Sequence, residues 1–164
     1  MKFSKNIKKD STARFVFVHH FSPHSPYLKT KECDKYEFNR NFEGYKESYN
    51  CVMKEVLDFI DFINLNDPKA LVVFQSDHGL NDVEIMKEIK INDKKKLYSS
   101  HIFNLIKAPE ACFNKFGLPK TNVNTIRFII NCAYNLDIKY EKNVHYEGFY
   151  EGNELYGTVI PNHF

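Results

Sequence analysis

The sequence predicts an α/β fold with a mainly parallel sheet and flanking helices. Two segments, 14–20 and 70–75, each contain four consecutive apolar residues, which is typical of strands buried on both faces. Between them, residues 44–64 carry apolar side chains at three- and four-residue spacing, which predicts an amphipathic helix. A strand, a helix and a strand in this order form a βαβ unit, whose crossover should be right-handed.

The remaining segments predict irregular and shorter elements. Two prolines stiffen the loop after the first strand, and Asn66-Asp67-Pro68 ends the long helix. Thr121 and Asn122 are residues that cap helices, so a second amphipathic helix should follow them. The full order is a loop at 21–27, a surface loop at 28–43, a weak helix or lid at 81–96, a third strand within 98–108, a loop at 110–118, the helix after 121, and short strands and loops beyond 135.

Length, charge and cysteine usage restrict the class of protein. A chain of 164 residues suits a single domain, 1–164, and its formal net charge of +2 predicts no nucleic-acid or membrane-surface partner. No stretch approaches the ~20 apolar residues of a membrane-spanning helix, and residues 1–10 lack a signal-peptide pattern, so we expect a soluble chain. The four cysteines form no CxxC pair, which favours buried free thiols over a zinc or redox motif.

The second predicted strand ends in Ser76-Asp77-His78-Gly79, which is the strongest candidate site. Ligands in open α/β sheets bind beyond the carboxyl ends of the strands, and Gly79 permits a sharp turn there. A carboxylate oxygen beside an imidazole nitrogen suits Zn²⁺ or Mn²⁺ better than Ca²⁺. The alternative is an ordinary Asx turn in which His78 is merely exposed.

Histidines elsewhere extend the candidate site. His24 lies between Pro23 and Pro26, in a loop stiff enough to hold a proton donor at a transferred group. His20 and His101 are weaker candidates. For His20 the alternative is packing at a strand end, and for His101 it is a strand position that faces solvent.

Several short motifs occur in a particular order along the chain. They are Pro23-His24-Ser25-Pro26, a helix that opens near Tyr45, Ser76-Asp77-His78-Gly79, Asn104 to Pro109, and Thr121 to Arg127. In this order they resemble the sulfatase-like proteins of the alkaline phosphatase superfamily. Members of this family show "PHxP", "SDHG" and "T-x-V-N-x-x-R" segments in the same order.

The resemblance implies a partial alkaline-phosphatase-like fold and a set of residue roles. Asp77 and His78 would bind a divalent metal, Zn²⁺ or Mn²⁺, and His24 would contact the transferred group or protonate the leaving group. His20, His101, Asn124 and Arg127 would support the site or pack beside it. Members of this family are often membrane-anchored with an extracytoplasmic catalytic domain. The chain would be the C-terminal portion of such a domain.

The chain departs from the family pattern at its N-terminal side. Members carry an acidic metal ligand and a Ser, Thr or modified Cys nucleophile well before the PHxP loop, and about twenty residues precede it here. The first hypothesis is therefore a metal-dependent hydrolase or transferase domain for small-molecule or glycan phosphate or sulfate esters, completed by a missing N-terminal segment. The second is a truncated, non-catalytic remnant that binds a metal or anion or serves as an interaction module. His78 follows the Asp where many sulfatases have Asn, which favours phosphorus chemistry.

Overall fold

The structure, a computed structural model, describes residues 13–90, 101–151 and 154–160. The chain divides into two compact units. The first comprises Met1–Pro68 with Val83–Lys90, and the second comprises Lys69–Asp82 with Ile91–Phe164. No helix in the described part of the chain is long and apolar enough to cross a membrane.

The first unit is built around one long helix. An antiparallel hairpin, β1 (Tyr27–Lys29) and β2 (Lys35–Asn39), precedes α1 (Phe42–Asn66), and the short α2 (Val83–Glu88) completes the unit. The Asn41 side chain caps α1 by accepting a hydrogen bond from the Gly44 N–H at 2.8 Å.

The hairpin lies on a face of α1 that is made of small residues. Gly44, Ser48 and Cys51 are buried there, and the Ser48 hydroxyl donates to the Lys29 carbonyl oxygen at 3.2 Å. A Cβ atom added at Gly44 would lie 3.0 Å from Asn39 Cβ, so the backbones approach closely because residue 44 has no side chain. A disulfide between Cys33 and Cys51 links the hairpin turn to the helix.

The second unit contains two hairpins and two helices. β3 (Val72–Gln75) pairs with β4 (Asn104–Lys107) in antiparallel register, from Val72 opposite Lys107 to Gln75 opposite Asn104. The helices α3 (Glu110–Phe116) and α4 (Asn122–Tyr134) follow, and β5 (His145–Glu151) pairs with β6 (Glu154–Ile160). The Phe113 and Phe128 rings stack with centroids 4.9 Å apart, and a Cys112–Cys132 disulfide joins α3 to α4.

Buried amides on α4 fasten the chain that leaves this helix. Asn124 and Asn131, each 1% exposed, bind the backbone of residues 138–141 through both amide atoms. The Arg127 guanidinium pairs with the Glu141 carboxylate at 2.8 Å. Over about two turns, one helix face thus carries three polar side chains that satisfy an irregular segment, as buried polar groups require.

The predicted mainly parallel sheet, and with it the alkaline-phosphatase-like fold, is wrong. The strands of the described residues form three two-stranded sheets, and all three are antiparallel. β3 pairs with β4 and not with residues 14–20, so the βαβ unit is absent from the described part of the chain. An apolar run favours a strand but specifies neither its partner nor its direction.

The predicted buried strand at 14–20 is also wrong. These residues lie in no strand, and Phe15 and Val18 are 89% and 62% exposed. A strand needs a neighbour to satisfy its backbone groups, and none of the described sheets includes this segment.

Other sequence predictions have mixed outcomes. The long helix, the strand within 98–108 and the helix after Thr121 are confirmed, and α2 occupies 83–88 of the expected 81–96 segment. The loop predictions for 28–43 and 110–118 missed the first hairpin and α3. The free-thiol prediction is wrong, because all four cysteines are paired in disulfides. Predictions that concern residues 1–12 and 91–100 lie outside the described residues.

Candidate functional site

The turn after β3 is held at its base by Ser76. The Ser76 N–H donates to the Phe103 carbonyl oxygen at 2.9 Å, and the Phe103 N–H donates back to Ser76 Oγ at 2.8 Å. The Asn122 side chain, at the start of α4, donates to the Ser76 carbonyl oxygen at 3.4 Å. Three hydrogen bonds therefore fix the residue immediately before Asp77.

Asn104 connects the hairpin to α4 beneath this turn. Its amide nitrogen donates to Thr125 Oγ1 at 3.0 Å, and its amide oxygen accepts from Gln75 at 3.3 Å. Thr125 is fully buried and donates its hydroxyl to the Thr121 carbonyl oxygen at 3.1 Å. Asn104 lies in one of the motifs that resemble the sulfatase-like family, and its contacts here give it a supporting role.

Asp77 and His78 extend from this base toward solvent. Their side chains are 89% and 49% exposed, and Asp77 Oδ1 lies 3.8 Å from His78 Nε2. His78 Nδ1 lies 2.7 Å from the Gly79 carbonyl oxygen. Because a carbonyl oxygen only accepts hydrogen bonds, this contact places the hydrogen on Nδ1 and leaves the lone pair on Nε2. The nitrogen nearest the carboxylate is thus the one that can bind a metal.

The geometry of this pair fits a divalent metal. Two ligand atoms bound at ~2.1 Å in tetrahedral geometry lie about 3.4 Å apart. The observed separation of Asp77 Oδ1 and His78 Nε2, 3.8 Å, exceeds that value by about 0.4 Å. The Gly79 carbonyl also orients the imidazole, as carbonyls commonly do behind metal-bound histidines. Asp77 Oδ1 also accepts the N–H of the next residue, His78, at 2.9 Å; an Asx turn would instead bond the N–H two residues on.

The other candidate residues of the second unit have different environments. Asn124 and Arg127 hold residues 141–143 through the contacts described above, and Asn124 Nδ2 also donates to Asn143 Oδ1 at 3.1 Å. Both residues therefore support the packing of α4. His101 is exposed and precedes β4 by three residues.

The two remaining candidate histidines, His20 and His24, belong to the first unit. The Nδ1 atom of His24 bonds to the Ser25 carbonyl oxygen at 2.5 Å, which leaves its Nε2 lone pair available, and its ring lies 4.5 Å from that of Phe21. His20 Nδ1 bonds to the Ser22 carbonyl oxygen at 3.1 Å, and its Nε2 lies 3.4 Å from Glu55 Oε2. His20 is thus directed at a carboxylate on α1.

Glu55 is a feature that the sequence analysis missed. Its side chain is only 13% exposed, and Lys29 Nζ lies 3.2 Å from Oε1. Burial alone would raise the pKa of this carboxyl, but hydrogen bonds and positive charge, including those of Lys29, hold the pKa below its ordinary value. On the sequence, Glu55 lies in a helix among other charges, and nothing there separates it from solvent-facing acids.

One three-residue group of metal-binding side-chain types occurs among the described residues. It consists of Cys33, Cys51 and Glu55, whose ligand atoms lie within 4.8 Å of one another. The two sulfurs are joined in a disulfide, so neither is a thiolate that could bind a metal. Asp77 and His78 have no third such partner at that distance within the described part of the chain.

Comparisons with known proteins identify no relative. The chain matches no family model, and no curated protein or solved structure is significantly similar to it.

Proposed function

We propose that Asp77 and His78 are two ligands of a divalent metal site, for Zn²⁺ or Mn²⁺, that acts on phosphate or sulfate esters. One observation carries this proposal: the carboxylate oxygen and the Nε2 lone pair lie 3.8 Å apart on a turn whose base is held by three hydrogen bonds. A carboxylate beside an imidazole offers the oxygen and nitrogen ligands that these metals prefer. The resemblance to sulfatase-like proteins supports the ester chemistry.

In this function the metal would act as a Lewis acid that stabilises charge on the ester oxygens. The chain's own residues hold and orient it: Ser76 fixes the turn, and the Gly79 carbonyl fixes the His78 ring. For His24, a residue of the first unit, the resemblance implies a separate role as proton donor to a leaving group. Its Nδ1 contact with Ser25 keeps Nε2 available to carry that proton.

Two ligands do not complete a catalytic metal site, which usually has three protein ligands and an open position. We therefore propose that an N-terminal segment outside these 164 residues supplies the nucleophile and an acidic ligand. The substrate is a small-molecule or glycan ester. Phosphate is favoured over sulfate, because His78 stands where many sulfatases have Asn.

The second candidate is a non-catalytic module that binds a metal or anion through the same turn. Within the described residues, Asp77 and His78 have no third ligand nearby, which favours this candidate. This binding function needs neither a nucleophile nor a further segment of the chain.

An activity measurement separates the two candidates. The complete gene product, with any encoded upstream segment, is assayed on aryl phosphate and aryl sulfate esters with and without Mn²⁺ or Zn²⁺. The enzyme hypothesis predicts metal-dependent hydrolysis that falls at least about 100-fold in His24→Gln, as loss of general acid catalysis implies. Glu110→Gln, which removes an exposed carboxylate on α3, should retain full activity. Metal binding without hydrolysis of either ester would favour the non-catalytic module.

A further inference from the structure

Every cysteine of this chain is paired, one pair in each unit. Cys33 and Cys51 have Cα atoms 5.0 Å apart, and Cys112 and Cys132 have Cα atoms 5.4 Å apart. Both distances lie within the usual range for disulfides. No free cysteine is left over.

We propose that this protein folds and acts in an oxidising compartment, outside the reducing cytosol. Thiol–disulfide buffers keep most cytosolic cysteines reduced, whereas secreted and envelope proteins retain their disulfides. Four cysteines that fall into two pairs, each joining elements that are neighbours in the fold, match a structural disulfide framework.

The first disulfide joins parts that are weak without it. β1 and β2 contain three and five residues, and an isolated two-stranded hairpin of this size is marginally stable. Apart from the disulfide, the contacts from the hairpin region to α1 include the Ser48–Lys29 bond and a Lys31 N–H donated to Glu47 at 2.8 Å. The covalent link therefore maintains the position of the hairpin on the helix.

The second disulfide secures a helix that lacks a core of its own. α3 has seven residues, none of them buried, and a helix this short does not persist in water without support. Its supports include the stacked Phe113–Phe128 rings, a Lys115–Asn135 hydrogen bond at 2.6 Å and the Cys112–Cys132 bridge. Small units with few buried side chains commonly depend on such bridges.

The compartment also limits the substrate. This step rests on the proposed function: if the Asp77–His78 site acts on esters, those esters are met outside the cytosol. Phosphate or sulfate esters on molecules outside the cytosol fit this condition, and cytosolic phosphorylated metabolites do not. The compartment itself rests only on the disulfides.

The test is thiol trapping in the cells that make the protein. Cells are quenched with acid, free thiols are alkylated with one reagent, the disulfides are reduced, and the new thiols are alkylated with a heavier reagent. Mass spectrometry should find all four cysteines with the heavier label, and unreduced digests should contain the 33–51 and 112–132 cross-linked peptides. Four cysteines with the first label would overturn the proposal.

Matched variants distinguish stabilising bridges from incidental ones. The double variant Cys112→Ser/Cys132→Ser should lower the unfolding temperature of the oxidised protein and make α3 accessible to proteases. Reductant should lower the unfolding temperature of the wild type but not that of a variant in which all four cysteines are Ser. Unchanged unfolding in the double variant would contradict a structural role. If the disulfides are found but the protein binds no metal, the proposed compartment stands and the proposed substrate is rejected.

Discussion

Ser76 and Phe103 exchange two hydrogen bonds, one between backbone groups at 2.9 Å and one from the Phe103 N–H to Ser76 Oγ at 2.8 Å. This pairing continues the β3–β4 ladder by one step and ends it with a side chain. The next residue, Asp77, therefore lies outside the β3–β4 ladder, while the residue before it is held in place. The base of the turn is thus held while the side chains of Asp77 and His78 are exposed, which suits the metal site proposed above.

Ser76→Ala should lower the free energy of unfolding by about 1 kcal/mol, because the Phe103 N–H loses its acceptor. It should also weaken metal binding, since the turn is no longer fixed at its base. Urea denaturation and metal titration measure the two effects. Ser76→Thr keeps the hydroxyl and should restore both; an equal defect in Thr and Ala variants would show that the hydroxyl is not the cause.

Asn124→Ala should lower the free energy of unfolding by about 2–3 kcal/mol, because the backbone of Glu141 and the Asn143 side chain lose their partners. Denaturant unfolding gives the magnitude, and Val123→Ala, at a 54% exposed neighbouring position, is the control. The metal affinity of the folded variant should equal that of the wild type. A loss of metal affinity with unchanged stability would show that Asn124 supports the metal site instead of the packing of α4.

Gly44→Ala should destabilise the first unit by about 1–3 kcal/mol, although alanine favours helices more than glycine does. The new Cβ would lie 3.0 Å from Asn39 Cβ and 3.1 Å from the Asn39 carbonyl oxygen, and the backbone oxygen cannot move aside cheaply. Asn50→Ala, at an exposed position on the same helix, provides the control in thermal unfolding. Stabilisation by Gly44→Ala would mean that β2 and α1 separate easily.

The pKa of Glu55 predicts a pH dependence of stability. A carboxyl whose pKa is lower in the folded state than in the unfolded state contributes stability above the unfolded pKa of about 4.5. That contribution is lost as the pH falls through the lowered folded pKa. In denaturant unfolding, the stability difference between wild type and Glu55→Gln should be constant near neutral pH and shrink below about pH 4.5. A difference that stays constant down to pH 3 would contradict the assigned charge interaction.

The sequence predicted the elements that are determined locally. α1 was predicted at 44–64 and spans Phe42–Asn66, because apolar spacing and the Asn66-Asp67-Pro68 end both act within a few residues; the Asn41 cap, which the structure shows, was not predicted. The helix after Thr121 was predicted for the same reason, from the side-chain cap that the structure shows. The position of Asp77 and His78 just beyond a strand also follows from a local pattern.

The pairing of distant segments could not be predicted in the same way. β3 selects β4, twenty-nine positions later at the Gln75–Asn104 pair, and apolar composition contains no information about that choice. The disulfide pairing could not be predicted for a similar reason, because sequence separations of 18 and 20 do not reveal which cysteines become neighbours. Ser76, Asn104 and Asn122 support the turn through contacts between distant segments, so their roles are visible only in the structure.

Calorimetric titration with Mn²⁺ and Zn²⁺ tests the central claim most directly. The wild-type chain, Asp77→Ala and His78→Ala are compared with Glu110→Gln, all in the oxidised form. Two protein ligands on a held turn should bind one ion with at best about micromolar affinity. The metal affinity of each alanine variant should be at least about tenfold lower than that of the wild type, and the affinity of Glu110→Gln should equal that of the wild type. Equal binding by all four proteins, or no binding by the wild type, would contradict the assignment of Asp77 and His78 as a metal-ligand pair.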